Sequence, residues 1–338
     1  MVSVKKTLSK VFHKLSGFSI EHCGLLVIEL TSDCNCACPV CAPAHVRNQI
    51  KRGYMSREIF DKIVVEAGDL NPRQVCLYAR GESLLHKGAV DMTRVLSDAG
   101  FYTELVTNGE LINPEISKDL YDAGLSKLVI SYPGISSKNY RMARGKNEPQ
   151  GLADNIVKSI EQWSCGDREV SLRSLIFHKT KSEIDDWVIN LVDDRLPDFL
   201  DKWLSVEGLS SVEIHGYMPW PRFYDETYLS HLTTYRRRCE HALNAMVVYW
   251  NGDVTPCSYD VHSELCIGSI NNETLSSLYN NSKMRQFRKR MYSHKISKLD
   301  DVCRNCLIPR YPVPLKLYTP DRKEESIREI REIIAQRG

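Results

Sequence analysis

Four cysteines lie within eight residues near the start of the chain, in the stretch Thr31-Ser-Asp-Cys-Asn-Cys-Ala-Cys-Pro-Val-Cys41. Three of them, Cys34, Cys38 and Cys41, have the spacing C-x3-C-x2-C, directly after an apolar run at 25–30 that predicts a strand. Three thiolates at a strand end can hold three irons of a [4Fe–4S] cube, and the fourth iron stays open to a small molecule with an amine and a carboxylate. A zinc site or buried free cysteines are the alternatives, although zinc sites usually join C-x2-C to a second such pair or to histidines.

Alternating strand and helix patterns indicate what positions this loop. The predicted strands are 25–30, 75–79, 102–107, 127–131, 170–177 and 212–215, and the predicted helices are 56–67, 90–99, 116–123, 152–163, 184–192 and 199–204. This order implies βαβ units and a mostly parallel sheet. Six strands are too few to close a (β/α)8 barrel, so the predicted fold class is α/β with a partial (β/α)6 TIM-like barrel. Sites on such sheets lie at the carboxyl ends of strands, where the cysteine loop begins.

Three further strand ends carry polar side chains. The second predicted strand runs into Ala79-Arg-Gly-Glu-Ser-Leu-Leu85, the third ends in Val106-Thr-Asn-Gly109, and the fourth ends in Ile130-Ser-Tyr-Pro-Gly134. Glu82 offers an acceptor for an ammonium group, beside a glycine that allows close backbone approach. The guanidinium fork of Arg144 suits a carboxylate, although an exposed loop arginine explains this residue as well. Thr-Asn-Gly alone is also an ordinary turn sequence.

The cysteine triplet and these strand ends together resemble the radical SAM superfamily. The resemblance implies that Cys34, Cys38 and Cys41 ligate a [4Fe–4S] cluster that gives one electron to S-adenosylmethionine (SAM). The resulting 5′-deoxyadenosyl radical then abstracts a hydrogen atom from the substrate. A flavodoxin- or ferredoxin-type protein is the expected electron donor.

The same resemblance implies which residues contact SAM. These are Glu82 at the amino group, Asn108 near the nucleoside, Ser131 at the ribose or carboxylate, and Arg144 and Arg173 as candidates for the carboxylate. Arg173 lies on the fifth predicted strand, where an ionised side chain otherwise needs a charged partner. Three positions depart from the family pattern: Arg80 replaces a glycine, Ser83 a proline, and Val40 an aromatic residue.

A second cysteine set follows residue 216. The segment 246–250 alternates into Asn251-Gly252, which predicts a hairpin with a type I′ turn, and the returning arm ends at Cys257. The set Cys239, Cys257, Cys303 and Cys306 has the spacing C-x17-C-x45-C-x2-C. It resembles the twitch domain, a shortened form of the SPASM extension of radical SAM enzymes, and implies one auxiliary [4Fe–4S] cluster with four cysteine ligands. Zinc in the same four thiolates is the alternative.

A fully ligated auxiliary cluster is suited to electron transfer. It would accept an electron in the oxidation of an alcohol to a ketone, or support an epimerisation in which a thiol returns a hydrogen atom. Cys266 is the candidate hydrogen-atom donor, and a buried small hydrophobe is the alternative. Cys36 and Cys165 are poorer candidates, and Cys23 and Cys76 are expected to be packing residues.

Composition limits the remaining classes. The chain has 338 residues, a formal net charge of +2 and 12 cysteines, and no signal peptide is expected. These features predict a cytoplasmic protein that uses cysteines for metal ligation, with no nucleic-acid partner. There is no apolar run of 18 residues, so no transmembrane segment is expected. The helical spacing of Met284, Phe287 and Met291 predicts that the basic segment 283–295 is a helix with one packed face.

Four segments are expected along the chain. They are an N-terminal basic helix at 1–22, a partial barrel at 23–217, a small β-hairpin and helical auxiliary-cluster domain at 218–315, and a helical tail at 316–338. The expected substrate is a small polar molecule similar to a sugar or an aminocyclitol. A peptide-modifying maturase is the second hypothesis, and a non-enzymatic metal-binding scaffold is the third. Candidate substrate-side residues are His215, Tyr217, Trp220, His178 and Tyr132, and packing explains each of them equally well.

Overall fold

The computed structural model of the protein describes residues 19–20, 22–177, 193–217, 220–221, 239, 243–293, 295–304, 306 and 315–336. Three predictions lie outside these residues: the N-terminal basic helix apart from its last few residues, the helix at 184–192, and the site candidate His178. The other predicted elements can each be compared with a strand or a helix.

Six parallel strands, adjacent in chain order, form the centre of the sheet. They are β1 (Leu25–Ile28), β2 (Val75–Leu77), β3 (Thr103–Thr107), β4 (Lys127–Ser131), β5 (Glu169–Ile176) and β6 (Ser211–Gly216). The helices of this part are α1 (Ala42–His45), α2 (Arg57–Leu70), α3 (Ala89–Asp98), α4 (Pro114–Asp122), α5 (Ser137–Arg144), α6 (Leu152–Ile160) and α7 (Leu196–Trp203). The predicted α/β class with a partial (β/α)6 TIM-like barrel is confirmed.

Side chains alternate between the two faces of the sheet. Leu26 and Ile28 of β1 belong to the large core beneath the helices, which also contains Phe60 of α2. Val27 lies between them on the strand, belongs to a separate apolar cluster, and is paired in register with Cys76. Because successive side chains of a strand point to opposite faces, Val27 and Cys76 lie on the inner face of the barrel.

The helices begin and end at residues that satisfy free backbone groups. Ser56 Oγ accepts a hydrogen bond from Ile59 N at 3.3 Å at the start of α2, and Asn113 Oδ1 accepts one from Ile116 N at 2.9 Å at the start of α4. Such caps contribute about 1 kcal/mol each. Asn71 ends α2 in the left-handed region, with a φ of 45°. The helix predicted at 56–67 therefore continues to Leu70, three residues past its predicted end.

The predicted hairpin is confirmed, as β7 (Ala245–Val248) and β8 (Asp253–Thr255) pair in antiparallel fashion. The predicted type I′ turn is wrong, because that turn needs a positive φ at two residues and only Gly252, with a φ of 86°, has one here. The side chain of Asn251 instead bonds Asp253, with its Nδ2 donating to Oδ2 at 2.7 Å. Gly252 N donates to Tyr249 O at 2.8 Å, which closes the turn.

The auxiliary region continues the barrel sheet, which the sequence did not predict. Strand β7 pairs in parallel with β1, with Leu26 opposite Met246, and β9 (Gly268–Ser269) pairs with β8. Three helices follow, α8 (Leu275–Tyr279), α9 (Ser282–Tyr292) and α10 (Asp301–Arg304). Helix α9 buries Met284, Phe287 and Met291, so the predicted packed face of the basic segment is confirmed.

The C-terminal segment contains a strand that the sequence did not predict. Strand β10 (Leu315–Tyr318) pairs antiparallel with β6, and α11 (Lys323–Ala335) follows it and buries Ile327 and Ile330. Across the described residues the strand order is β10-β6-β5-β4-β3-β2-β1-β7-β8-β9. No helix among the residues described is both long enough and apolar enough to cross a membrane.

Candidate active site

The loop after β1 brings three thiols to one cavity. Cys34, Cys38 and Cys41 line a cavity of about 310 Å³ at the carboxyl ends of the strands. The start of the loop is fixed from both sides, because Thr31 Oγ1 donates to Gly53 O at 2.8 Å and accepts from Asp33 N at 3.0 Å. The three cysteines of the C-x3-C-x2-C pattern therefore face a common space.

The thiols differ in how easily they ionise. A hydrogen bond from Cys36 outweighs burial and lowers the pKa of Cys34 to about 7 and that of Cys38 to about 6. The guanidinium of Arg144 lowers the Cys38 value further. Burial raises the pKa of Cys41 to about 11. Since the thiolate is the metal ligand, two of the three sulfurs favour the ligating form near neutral pH.

Arg144, the last residue of α5, lies against this cysteine loop. Its Nη1 donates to Cys38 Sγ at 3.4 Å, and its Nη2 donates to Asn108 O at 3.0 Å and to Ser131 O at 2.5 Å. Its Nε is enclosed and has no hydrogen-bond partner within the described part of the chain. A buried cation with a free donor at a cavity wall is suited to an anionic ligand.

Asn108 and Ser131 also lie at the cysteine loop or its cavity. Asn108 Nδ2 lies 3.8 Å from Cys34 Sγ and donates to Asn35 Oδ1 at 2.7 Å. Ser131 lines the cavity, as does Val40, the residue that departs from the family pattern. The carboxyl ends of β3 and β4 thus meet the cysteine loop, as the parallel sheet requires.

Glu82 is buried, with an exposed fraction of 2%. Its carboxylate accepts hydrogen bonds from Thr107 Oγ1 at 2.8 Å, Asn108 N at 2.6 Å and Leu84 N at 3.1 Å. Burial raises its pKa, and these bonds offset part of that effect. Glu82 therefore ties the end of β2 to the end of β3, and its predicted contact with an amino group stays a prediction.

The backbone around Glu82 approaches the cysteine loop closely. Glu82 N donates to Asp33 O at 2.8 Å. A Cβ atom on Gly81 would lie only 2.2 Å from Thr31 O, so only glycine fits at this position. The glycine that the motif retains is thus the one whose backbone packs against the loop.

Arg80, which replaces the other glycine of the motif, forms a buried ion pair. Its Nε and Nη2 bond the two oxygens of Glu29 at 2.8 and 2.7 Å, and its guanidinium lies 3.7 Å from the ring centroid of Tyr249. Its Nη1 also reaches Val261 O in the auxiliary region at 3.3 Å. Sequence reasoning missed this contact, and the charged Glu29 inside the apolar run 25–30 was the signal that could have revealed it.

Arg173 has a charged partner on the neighbouring strand. Its Nε lies 2.7 Å from Glu213 Oε2 on β6, and it is absent from the residues that line the cavity described above. An ion pair was the alternative to SAM binding at this position. Its role in SAM binding stays a prediction without a supporting contact.

The second cysteine set differs from the first in its burial. Cys239 and Cys257 are half-buried, and Cys303 and Cys306 are buried. The pKa of Cys257 is raised by burial and next by the nearby Cys239, Cys306 and Cys303. Such mutual effects are consistent with the predicted site of four cysteines, which stays a prediction.

The loop after Cys257 is held by one carboxylate. Asp260 accepts hydrogen bonds from Thr255 Oγ1 at 2.9 Å and from Leu265 N at 2.8 Å, and its own carbonyl accepts one from Tyr249 OH at 2.6 Å. This network fixes the backbone between β8 and β9. The position of Cys257 relative to the barrel therefore depends on buried polar contacts.

Both candidate metal sites consist of thiols. Among the described residues, no three His, Cys, Asp or Glu side chains form a group that could hold one metal ion. Thiolates are the usual ligands of iron–sulfur clusters, in which each binds a different iron, and they are also ligands of zinc.

The remaining cysteines divide into three groups. Cys23 and Cys76 are buried packing residues, as predicted. Cys165 is exposed, and Cys36 interacts with two ligand candidates. Cys266 is half-buried, donates to Gly268 O at 3.3 Å, and is not among the residues that line the cavity.

Three of the substrate-side candidates line the cavity, namely His215, Tyr217 and Trp220. Tyr259 lines it too and lies 4.7 Å from Trp220, centroid to centroid. Sequence reasoning missed Tyr259, although its place two residues after Cys257 was a signal. Tyr132 is a core residue instead, since it points to the opposite face from Ser131 and its hydroxyl bonds Glu148 at 2.7 Å.

The structure is a parallel TIM-like sheet of the α/β class with three thiols at its carboxyl edge. The family model of the radical SAM superfamily matches residues 28–186, and that of SPASM, an iron–sulfur cluster-binding domain, matches residues 239–307. The chain therefore belongs to the radical SAM superfamily and carries an auxiliary-cluster domain. Its cofactors are SAM, a [4Fe–4S] cluster and auxiliary iron–sulfur, as the sequence predicted.

Similar proteins cover most of the chain. The tungsten-containing aldehyde ferredoxin oxidoreductase cofactor-modifying protein of Pyrococcus furiosus is 23% identical over 296 residues, which are 78% of this chain and 82% of that protein. The structure of BtrN in complex with AdoMet and 2-DOIA has a TM-score of 0.53 and 18% identity, over 84% of this chain and 92% of that one. Streptococcus suis SuiB bound to precursor peptide SuiA has a TM-score of 0.58 and 14% identity, over 83% and 70%. At these identities the two structures show a shared fold.

Proposed function

We propose that the enzyme abstracts a hydrogen atom from a small polyhydroxylated substrate, similar to a sugar or an aminocyclitol, and oxidises it with the help of an auxiliary [4Fe–4S] cluster. The observation that carries this proposal is the cavity between the two cysteine sets. The SAM-side thiols line one wall, and Tyr259, two residues from Cys257, lines another.

The size and lining of the cavity support a small substrate. Its volume of about 310 Å³ is near the lower end of ligand pockets, which span about 300–1,000 Å³, and the first cluster and SAM would occupy part of it, which leaves room only for a small molecule. Aromatic rings at Tyr217, Trp220 and Tyr259 give it rigid walls, and the imidazole of His215 and the tyrosine hydroxyls provide the polar groups. A substrate with several hydroxyl groups on a compact ring would match this lining.

Each predicted ligand has a place in the proposal. Cys34, Cys38 and Cys41 would hold the first cluster, and Arg144 would bind the carboxylate of SAM through its free Nε. The auxiliary cluster would be held by Cys239, Cys257, Cys303 and Cys306. When bound, the first cluster and SAM supply a 5′-deoxyadenosyl radical. The chain itself would position the substrate in this cavity, against the side chains of His215, Tyr217, Trp220 and Tyr259.

Dehydrogenation fits the geometry better than epimerisation. An epimerase needs a hydrogen-atom donor in contact with the substrate, and Cys266 was the candidate. Because Cys266 is not part of the cavity lining described above, we place the enzyme with the dehydrogenases. We also retain a flavodoxin- or ferredoxin-type electron donor, and the predicted boundary near residue 217, as parts of the proposal.

Deuterium transfer tests the proposed substrate class. Anaerobically reconstituted enzyme would be incubated with SAM and a panel of ring-deuterated sugars and aminocyclitols, and 5′-deoxyadenosine would be analysed by mass spectrometry. Deuterium from at least one polyol, with formation of the corresponding ketone, is the expected result. Cys34→Ala should give none, and Cys165→Ala, at an exposed thiol, is the matched control that should behave as wild type. Absence of deuterium from every polyol would reject the proposal.

A peptide substrate is the second candidate, because one sheet edge has features that suit it. Strand β10 is the end strand of the described sheet, and its Leu315 and Leu317 are 52% and 59% exposed. Peptides bind such edges by adding a strand. SuiB, which shares the fold, has a crystal structure in which it is bound to a precursor peptide. Deuterium transfer from a deuterated peptide, lost in a Leu317→Pro variant with normal SAM cleavage, would support this candidate.

A further inference from the structure

A cluster of charged side chains lies next to the cavity on the inner face of the sheet, towards the amino ends of the strands. Glu213 precedes His215 by two residues on β6, so both side chains point to the same face. The Glu213 carboxylate lies 2.9 Å from Lys127 Nζ of β4 and 2.7 Å from Arg173 Nε of β5, with 6% of its side chain exposed. This cluster joins three neighbouring strands.

The cluster holds Glu213 as a fixed anion. Burial alone would raise its pKa, but the neighbouring His215, Arg173 and Lys127 outweigh burial and hold the pKa of Glu213 well below its usual range. Burial raises the pKa of Glu104, on β3, and the charges of Arg173 and Lys127 oppose that shift. Because a carboxyl group is ionised above its pKa, Glu213 stays negative throughout the neutral range.

His215 connects this anion to the cavity, which its side chain lines. Its Nε2 lies 3.6 Å from Glu213 Oε2, close enough for electrostatic attraction and slightly too far for a hydrogen bond. The same Nε2 is enclosed and has no hydrogen-bond partner within the described residues. A proton on Nε2 would point to the carboxylate, which leaves Nδ1 as an acceptor for a group in the cavity.

We propose that His215 is the catalytic base that takes the hydroxyl proton of the substrate, and that Glu213 is its positioning residue. The inference rests on the proposed dehydrogenation, since a proton must leave when an alcohol becomes a ketone. After the substrate carbon has lost its hydrogen atom, the O–H bond breaks and its proton goes to Nδ1 of His215. The C=O bond forms, and the remaining electron would pass to the auxiliary iron–sulfur cluster that Cys239, Cys257, Cys303 and Cys306 would hold.

Several other titratable or charged groups share the cavity or the inner face of the sheet with His215. They are Glu104, Lys127, Arg144, Arg173, Glu213, Tyr217, Tyr259 and the thiols Cys34, Cys38 and Cys41. Burial, followed by the nearby cluster thiols, raises the pKa of Tyr259, so its phenol stays neutral. The register neighbours of His215, Leu175 and Leu315, carry no charge.

The tautomer of His215 can be measured without substrate. The full chain, labelled with 15N-histidine, would be studied by long-range 1H–15N NMR from pH 5 to 9, with the His215→Gln variant to assign the signal. We expect the neutral ring to carry its proton on Nε2, and Glu213→Gln to weaken that preference. A neutral ring with its proton on Nδ1 would overturn the proposal.

Uncoupling of turnover is the second readout. With the polyol that gives deuterium transfer, His215→Gln should still form deuterated 5′-deoxyadenosine while ketone formation falls by about 10²–10⁴-fold, the usual contribution of a general base. Glu213→Gln should lower ketone formation by a smaller factor than His215→Gln does. His22→Gln, at an exposed histidine, is the matched control.

The outcomes separate this inference from the function on which it rests. Ketone formation by His215→Gln at the wild-type ratio would reject the base while the proposed function stands. Wild-type enzyme that takes no deuterium from any polyol would reject both. If His215→Gln fails to fold, His215→Asn serves for the same measurement, with circular dichroism and iron content as checks.

Discussion

The two cysteine sets differ in how the chain brings their sulfurs together. The first set, from Cys34 to Cys41, lies in one loop, and local hydrogen bonds to Thr31 hold the start of that loop. The second set runs from Cys239 to Cys306 and depends on the pairing of β7 with β1 and on the Asp260 network. A local site can therefore be inferred from spacing alone, whereas a distributed site needs the tertiary structure.

The two sites also meet through a buried contact. Arg80, at the end of β2 beside the first site, bonds Glu29 and reaches Val261 in the loop that follows Cys257. Each region can therefore be damaged separately, and the contact between them can be broken without removing a cysteine.

Loss of the first site should have the largest effect. Cys38→Ala removes one of three ligands from a cluster that has no spare protein ligand, so SAM cleavage should fall to the detection limit. The iron content should drop from about eight to about four atoms per chain, because the auxiliary site is intact. Iron assay and 5′-deoxyadenosine formation measure this, with Cys165→Ala as control. Residual SAM cleavage near the wild-type rate would show that Cys38 is not a ligand.

Loss of the second site should separate the two activities. Cys257→Ala should leave reductive SAM cleavage within about threefold of wild type and abolish ketone formation, because the substrate radical loses its electron acceptor. The EPR spectrum of the reduced protein should keep the signal of the first cluster and lose the other. Unchanged product formation would remove the auxiliary cluster from the reaction.

These two regions also show how far the sequence could be read. The six parallel strands, the hairpin and both cysteine sets follow from periodicity and spacing, because each is a local pattern. The parallel pairing of β7 with β1 and the strand β10 could not be predicted, since pairing partners far apart in sequence leave no local signal. The ion pair between Glu29 and Arg80 could not be predicted either, because it forms only when the ends of β1 and β2 lie side by side.

Breaking the contact between the sites should cost stability. Arg80→Met leaves Glu29, whose side chain is fully enclosed, without its ion-pair partner, and we expect a loss of about 3–5 kcal/mol in the free energy of unfolding. Urea titration measures the loss. The double variant Arg80→Met with Glu29→Met should recover much of it, since it leaves no unpaired charge. Equal stability of the single variant and wild type would show that the pair contributes nothing.

The smallest expected effect concerns SAM affinity at the first site alone. Arg144→Lys keeps the positive charge and loses the guanidinium fork, including the free Nε that we assign to the carboxylate of SAM. The dissociation constant of SAM should rise by about 10- to 100-fold, since a hydrogen bond to a charged group contributes about 1.5–3 kcal/mol. Calorimetric titration of reconstituted protein measures this constant. Lys146→Gln, two residues away and half exposed beside Glu110, is the control that should bind SAM normally. If Arg144→Lys also binds SAM normally, the guanidinium serves only to hold Cys38 and the ends of β3 and β4. Arg144 would then act in the first site as Asp260 acts in the second. Each side chain would hold the cysteine loop in place and would not bind a ligand itself.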